Sequence, residues 1–437
     1  MVSEPQIPDT RVLAIASHVV HGYVGNKMAT FVMQSMGCDV SAINTVHYSN
    51  HTAYKQVKGT KTSADQILEL YEGLRQASLN NFDLLLTGYM PSAEAVRAIG
   101  KIGRDIKFNA GTKPGSFFWV LDPVMGDNGR LYIPEDEVPE YKALLREADL
   151  ILPNQYEAEL LSDTKITDLD SLAAAIQVLH KTYQVPHVII TSLRLTRDNH
   201  TVPSRAPSKP TSTTTSSHPT PSASPNLDAL TSHPSSQPPS PSQIPAAPDD
   251  EEAIENLTII GSTATSTHTP RLFRIDTPQL PLFFSGTGDM FAALTIPRLL
   301  EQVNAPNSDL ASRPSWRSPD DVPATELPLA KAAQKVLASM QSILVKTAQR
   351  CQGEMAAYDK RAEKEGRGKG EEDGRERESR RHVALMSASE VKVVRHVADI
   401  LEPPHLERFM PRAVEGGRKG QLGGGDMRGE RGRGTVG

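Results

Sequence analysis

One stretch constrains this chain more than any other: Phe283-Phe284-Ser285-Gly286-Thr287-Gly288-Asp289-Met290-Phe291. A strand-like apolar run, Leu280 to Phe284, meets a Gly-Thr-Gly turn, and an amphipathic helix is predicted from Met290 to Leu300. Two glycines at such a junction let the backbone turn tightly and aim bare N–H groups at one point. The start of the helix adds partial positive charge there, so the junction is a ready anion site. Asp289 falls in the first helical turn. A phosphate cradle beside a carboxylate suggests phosphoryl transfer to an alcohol, with the carboxylate accepting the hydroxyl proton. The same residues would also serve as a plain glycine turn with Asp289 as a helix-start stabiliser, so the rest of the chain must decide.

Strand-like and helix-like segments alternate through the first two hundred residues. Strands are predicted at Arg11 to Ala16, Val40 to Val46, Asp83 to Leu86, Phe117 to Leu121, Leu150 to Leu152 and His187 to Ile190. Helices are predicted at Lys27 to Met36, after a Ser63/Gln66 capping box, from Pro91-Ser92, over Glu135 to Ala148, after Asn154 and over Ser171 to Tyr183. Strand patterning resumes at Leu257 to Ile260 and Leu272 to Ile275, and a long helix is predicted at Leu329 to Val345. This alternation means an α/β fold with a mostly parallel sheet and helices on both faces. Ligands of such folds bind beyond the carboxyl ends of the strands. The polar residues following strand ends are Ser17, Asn50-His51-Thr52, Tyr89, Asp122, Asp127, Asn154, Glu157, Thr191 and Asp289. They would converge on one rim by topology alone.

Composition sets the organisation. Of 437 residues, Pro, Ser and Thr crowd the segment 202–248, followed by an acidic patch at 249–252. Arg, Gly and Glu crowd 366–381 and the region after Arg412. Such parts bury too little apolar surface to order themselves. The expectation is a single domain over 11–411, interrupted by a disordered insert at 202–252 and a charged loop at 355–384. Disordered ends are expected at 1–10 and 412–437. A formal charge of −5 gives no global field for nucleic acid. Two distant cysteines, Cys38 and Cys351, form no disulfide framework. No signal-peptide core and no apolar run of about 18 residues is present, so a cytoplasmic protein, with nuclear residence also open, is the expectation.

Several motifs carry chemistry with more than one reading. Asp122 and Asp127 lie in one strand-end loop, where two carboxylates can hold Mg²⁺ while phosphate oxygens complete its shell. Asp-Pro and Asp-Asn-Gly also form ordinary solvated turns. Asn154 and Glu157 can be a helix start, Thr191 and Ser192 loop hydroxyls, and His51 and Tyr89 packing residues. Their coincidence at five strand ends favours a nucleotide-and-alcohol site. Gly22-x-x-Gly25-Asn26-Lys27 lacks P-loop spacing, and Asp289 would face a dinucleotide pyrophosphate with the wrong charge. The Arg/Gly tail reads as solvated rather than RNA-binding.

The motifs Ser17-His18-Val19 with Gly22-Tyr23-Val24-Gly25-Asn26, Ser49-Asn50-His51-Thr52, Gly88-Tyr89, Asp122-Pro123-Val124-Met125-Gly126-Asp127, Pro153-Asn154-x-x-Glu157 and Gly286-Thr287-Gly288-Asp289 together resemble the pyridoxal kinases. These form the vitamin B6 branch of the ribokinase-like superfamily. The resemblance covers roughly Arg11 to Leu195 and Leu272 to Gln302, and more weakly 329–351 and 386–401. Gly-Thr-Gly-Asp alone marks the superfamily; the first glycine loop and the Ser-Asn-His-Thr loop mark the pyridoxal kinases. The resemblance implies a ribokinase-like three-layer sandwich, a homodimer, and ATP-dependent phosphorylation of the 5′-hydroxymethyl group of pyridoxal, with pyridoxine and pyridoxamine as further substrates. It implies Asp289 as the base and the Gly286, Thr287 and Gly288 N–H groups on the transferred phosphoryl. Asp122, Asn154 and Glu157 would lie around the ATP phosphates and a divalent cation such as Mg²⁺, and Thr191 and Ser192 near the nucleotide. Asp127 and Thr191 would lie near a monovalent cation, K⁺ or Na⁺. Ser17, Thr52 and Tyr89 would hold the pyridine ring, with His51 close by. Asp289, at a helix start, is expected to stay ionised as a weak base.

Two departures stand out. Leu152 replaces a threonine that many relatives place near the monovalent cation, and the Ser/Thr/Pro insert falls where the family has a compact flap over ATP. Two alternatives stay open at this stage: a related kinase of another small alcohol such as hydroxymethylpyrimidine, and a non-catalytic nucleotide-binding scaffold.

Overall fold

A computed structural model describes residues 7–196, 200–201, 253–366 and 374–414. The insert expected at 202–252 lies outside the described residues, as do 1–6 and 415–437. The chain runs β1 (Thr10–Val19), α1 (Gly25–Ser35), β2 (Cys38–Tyr48), β3 (Gly59–Lys61), α2 (Ala64–Gln76), β4 (Leu84–Thr87), α3 (Ala93–Asn109) and β5 (Phe118–Leu121). A small hairpin follows, β6 (Gly126–Asp127) and β7 (Arg130–Leu131), then α4 (Glu137–Leu144), β8 (Leu150–Ile151), α5 (Gln155–Ser162), α6 (Leu169–Lys181) and β9 (His187–Thr196). The second half comprises β10 (Ala253–Ala264), β11 (Pro270–Pro278), α7 (Thr287–Val303), α8 (Pro328–Gly366), α9 (Gly374–Ala388), α10 (Val397–Leu401) and β12 (Arg412–Ala413).

The main sheet has the order β12-β11-β10-β9-β8-β5-β4-β1-β2-β3. Its centre, β2 through β9 in that order, is parallel, while β10, β11 and β12 extend it antiparallel on one side and β3 on the other. Because side chains alternate across a strand, each central strand feeds two cores. Val12, Ala14, Leu84, Leu86, Phe118, Val120 and Ile189 join α1, α7 and α8 on one face. Leu13, Ile15, Leu85, Trp119, Leu121, Val188 and Ile190 join α2 through α6 on the other. This is the expected three-layer sandwich. The chain leaves β1 through α1 to β2 and then crosses back to β4 on the other side of β1. That reversal is the switch point at which open α/β sheets place ligands, and the first glycine loop sits there.

Four local expectations need correcting. Leu280 to Phe284 is not a strand; the ladder ends at Pro278, and residues 279–286 form an irregular loop. Pro281 supplies no ladder donor, and Phe283 points outward at 42% exposure. The expected charged loop at 355–384 is instead largely helical, over 355–366 and 374–384. Its Glu, Lys, Arg and Ala residues are good helix formers, Arg381 pairs with Asp359 across the two helices at 3.0 Å, and Met355, Leu385 and Met386 pack with Tyr54. At the ends, Ile7 is buried, Thr10 opens β1, and Arg412–Ala413 pair with β11 rather than lying free. The α4 helix is also shorter than expected, the chain turning at Leu145 toward β8.

Both cysteines are free and buried. In α3, Gly103 lets the helix sit directly on Trp119: a Cβ there would come within 2.8 Å of Trp119 Cε3, and closer to its outer ring. Gly103→Ala should therefore cost about 1–3 kcal/mol from overpacking, exceeding the roughly 1 kcal/mol helix-propensity gain. Urea denaturation would check this: the midpoint should fall, and an unchanged or higher midpoint would show that Trp119 moves aside freely.

Candidate active site

The glycine turn at the start of α7 is placed by close backbone approach. Gly286 is the N-cap residue, with φ +81°, a conformation that costs a side-chain-bearing residue energy. Any Cβ on it would overlap the Tyr23 carbonyl, and one on Gly25 (φ +52°) would overlap Ser17. The loop after β1 and the loop before α7 therefore touch without side chains between them. The first N–H groups of the 17-residue α7 face this junction. Gly288 is open: the nearest atom to where its Cβ would stand is Asp122 Oδ2, at 3.9 Å. Asp289 is half-buried beside it. Burial pushes its pKa up, and the Gly25 backbone N–H opposes that shift. This upward shift runs against the lowering expected at a helix first turn, because burial disfavours the ionised carboxylate.

On the next strand ends, Asp122 is 9% exposed and Glu157 4%. The Asp122 pKa is raised well above the ordinary carboxylate value, by burial first and then by the charges of Glu157 and Asp289. Glu157 is pushed up to about 8, chiefly by burial, against the hydrogen bonds it accepts. Those bonds explain its position. Asn154 Oδ1 accepts from Glu157 N at 2.9 Å, and Glu157 Oε2 accepts from Asn154 N at 2.9 Å, a capping box starting α5. Glu157 Oε1 accepts from Met125 N at 2.9 Å and Gly126 N at 3.3 Å, and Asn154 Nδ2 donates to Gly126 O at 2.7 Å. The helix-start reading of this pair holds, and the same capping box pins the loop that follows Asp122. Thr191 bridges to Asn154 and donates its N–H to Pro153 O at 2.9 Å. Ser192 adopts φ +60° at a register break between β9 and β10. Asp127 is half-buried in the β6–β7 turn, where its oxygens accept from Asn128 N at 2.7 Å and Asn128 Nδ2 at 3.0 Å.

This carboxylate group fits a divalent cation. Among the described residues no three His, Cys, Asp or Glu side chains converge to hold an ion alone. A cation that keeps its waters and binds phosphates needs only one or two carboxylates, and the mutual repulsion raising the Asp122 pKa is what such a cation would relieve.

Around β1, Ser17 lies against Gly25, and Gly88 packs on Ala16, with its Cβ position 3.1 Å from Ala16 Cβ. Tyr89 follows, its carbonyl accepting from Thr45 Oγ1 at 2.8 Å. Thr52 is exposed at the start of a short 3-10 turn, Thr52–Tyr54, and His51 is buried at its N-cap. His51 Nε2 meets Glu390 Oε1 at 3.1 Å. Glu390 also accepts from Tyr54 OH at 3.1 Å and from Tyr23 N at 3.4 Å. Glu390 carries little signal in the sequence: an acidic residue before the mixed stretch Val391-Lys392-Val393-Val394.

The phosphomethylpyrimidine kinase family model matches residues 31–220. A putative pyridoxal kinase of Schizosaccharomyces pombe is 35% identical over 340 residues, covering 78% of this chain and 86% of that one. The chain belongs to the pyridoxal kinase family. Human pyridoxal kinase is 41% identical over 177 residues, a match spanning 39% of this chain and 55% of the human one. Pyridoxal kinase from Leishmania donovani, solved with ADP and pyridoxamine, superposes with a TM-score of 0.59 at 25% identity, over 92% of this chain and 98% of that one. The matched family model ends before Gly286, whereas the S. pombe match extends well beyond its length.

The raised Asp122 pKa has a sign that can be checked. A carboxyl that binds its proton more tightly folded than unfolded penalises the folded state once ionised, so its stability contribution is lost as pH rises through that raised value. Asp122→Asn should raise the melting temperature of the cation-free protein by about 2–4 °C, more at about pH 8 than at about pH 5. Phosphoryl transfer should at the same time fall by roughly a hundredfold or more. A lower melting temperature at both pH values would contradict the electrostatic reading.

Proposed function

We propose that this protein transfers the γ-phosphoryl group of ATP to the 5′-hydroxyl of pyridoxal, and of pyridoxine and pyridoxamine, giving the 5′-phosphate and ADP. The observation that carries the reading is the packing of the first glycine loop onto α7. It brings the half-buried Asp289 carboxylate, an open helix N-terminus and the Asp122 carboxylate together within a member of the pyridoxal kinase family.

In this reading the vitamer lies over Ser17, Thr52 and Tyr89, with its hydroxymethyl group toward Asp289. The alcohol oxygen forms a bond to the γ-phosphorus as the bond to the β-phosphate oxygen breaks. ADP leaves with that electron pair, and the hydroxyl proton passes to Asp289. The N–H groups of Gly286, Thr287 and Gly288 hold the charge spread over the transferred oxygens. Little early deprotonation is needed in a loose transition state, so positioning supplies most of the acceleration. Asp122 and Glu157 would hold a divalent cation, Glu157 through the lone pairs its three N–H bonds leave free, and such a cation neutralises phosphate charge. Asn154 would position the phosphates, and Thr191 and Ser192 the nucleotide. Asp127 and Thr191 would flank a monovalent cation; Leu152, buried in the core, offers it no hydroxyl. A homodimer in the cytoplasm is part of the same proposal and rests on the family resemblance.

The test is pyridoxal phosphate formation from ATP and pyridoxal, with hydroxymethylpyrimidine as competitor and Asp289→Ala as control. The variant should lose about two or more orders of magnitude in kcat. Because burial raises the Asp289 pKa, wild-type kcat/KM should fall as pH drops through a value above the ordinary carboxyl value of about 4. Preference for hydroxymethylpyrimidine, or near-normal activity of the variant, would overturn the substrate or the base respectively.

The insert is expected to affect ATP more than the fold. Thr196 and Ala253 are paired across β9 and β10, and Thr201 N donates to Thr167 O at 2.7 Å. Its ends are thus held by the sheet itself. Joining residue 201 to 253 should leave the melting temperature within a few degrees and lower the KM for ATP, through a flap that closes more readily. An unchanged KM would separate the insert from nucleotide binding.

A further inference from the structure

We infer that Glu390 is a positioning residue that fixes the vitamer loop and the catalytic cradle relative to one another; the inference rests on the B6-kinase reading above for its effect on substrate. Glu390 follows α9, more than three hundred residues from either loop it touches, and is 6% exposed. Its Oε1 meets His51 Nε2 at 3.1 Å and accepts from Tyr54 OH at 3.1 Å, so it holds both ends of the short turn that carries Thr52. Its Oε2 accepts from Tyr23 N at 3.4 Å, and the carboxylate stands where a Gly22 side chain would be, its Cδ 2.7 Å from the Cβ position. Gly22 (φ +94°) is thereby required to be glycine both by its backbone and by Glu390.

The second loop leads directly to the chemistry. The Tyr23 carbonyl abuts Gly286, and the Gly25 N–H lies on Asp289. One carboxylate therefore ties together the turn proposed to hold the ring and the loop that seats the base and phosphate cradle. It touches no reacting atom. The surroundings make the tie rigid. His51 and Tyr54 rings lie 4.7 Å apart, and Tyr54 packs into Cys351, Met355, Leu385 and Met386 of α8 and α9. His382 Nε2 meets Ala53 O at 2.7 Å, so α9 grips the same turn a second time. A buried carboxylate with three partners is costly to leave incomplete. The end of α8 and most of α9, read in sequence as a charged loop, thus back the turn proposed to hold the vitamer.

Two variants test this, Glu390→Gln, which keeps size and one acceptor oxygen, and Glu390→Ala. Hydrogen exchange followed by mass spectrometry on the full chain reads the positioning without reference to substrate. Exchange should quicken in peptides covering 20–26 and 49–57 and stay unchanged in β4 and β5, more so for the alanine variant. Steady-state kinetics reads the consequence. The KM for pyridoxal should rise about tenfold or more, the size of one lost hydrogen bond to a charged group, with kcat reduced and the KM for ATP within about twofold. Unchanged exchange in both peptides overturns the inference, whatever the substrate. A loss shared equally between ATP and pyridoxal, or exchange quickened throughout the chain, also overturns it, because that is what a merely structural residue would produce. Altered exchange in the two loops alongside a wild-type enzyme inactive on pyridoxal supports the positioning role and counts against the B6 reading alone.

Discussion

Everything at the site depends on a backbone-to-backbone approach that admits no side chain. Gly286 meets the Tyr23 carbonyl, and Gly25 meets Ser17. Side-chain packing holds surfaces apart by several ångströms, too far for the N-terminus of one helix and the loop of another strand to share a ligand. Glycine removes that spacer, and its freedom at positive φ permits the turn at each position. The consequence is that Asp289, on α7, receives an N–H from Gly25, which opens α1. A carboxylate delivered by the second half of the chain is thereby set against a loop of the first.

The electrostatics follow from that geometry. Asp122, Glu157 and Asp289 are brought together, and burial raises the pKa of all three. Backbone N–H groups compensate unequally. Glu157 receives three and is fixed as the pin of the loop after β5. Asp122 keeps its carboxylate facing Gly288. This uncompensated negative charge is a cost to the folded protein and an invitation to a cation arriving with phosphates. Stability is given up where function needs charge, as expected of a site that neutralises phosphoryl transfer.

Glu390 contrasts with these. Burial alone would raise its pKa, but His51, Tyr54 and His21 together hold it below the ordinary value. It is a satisfied buried charge, and so serves as a structural tie rather than a reactive group. The α8–α9 pair that delivers it packs through Met355, Leu385 and Met386 onto Tyr54 of the 51–54 turn.

The sequence by itself determined the layers, the rim and the motifs. Alternating strands and helices, with Val12/Leu13/Ala14/Ile15 feeding opposite faces, dictate a sandwiched parallel sheet, because period-2 side chains of a doubly covered strand are apolar on both sides. Residues at the ends of parallel strands must share a rim, so Asp122, Asn154, Glu157 and Thr191 were legible as neighbours. Local rules also read the capping box at Ser63 and the N-cap at Asn154, whose reciprocal bond from Glu157 the structure adds. Tertiary structure alone decided what depends on contacts between distant segments. Residues 355–366 and 374–384 are good helix formers, but their packing through Met355 and the adjoining Leu385 onto Tyr54 is a contact no local pattern announces. Leu280 to Phe284 is irregular because it must cross from β11 to the loop after β1, whatever its propensity. The Asp289 pKa is raised by burial among segments distant in sequence, against what its place in a helix first turn implies. His51 meets Glu390 because a buried imidazole takes the partner within reach, and that partner arrives from the far end of the chain.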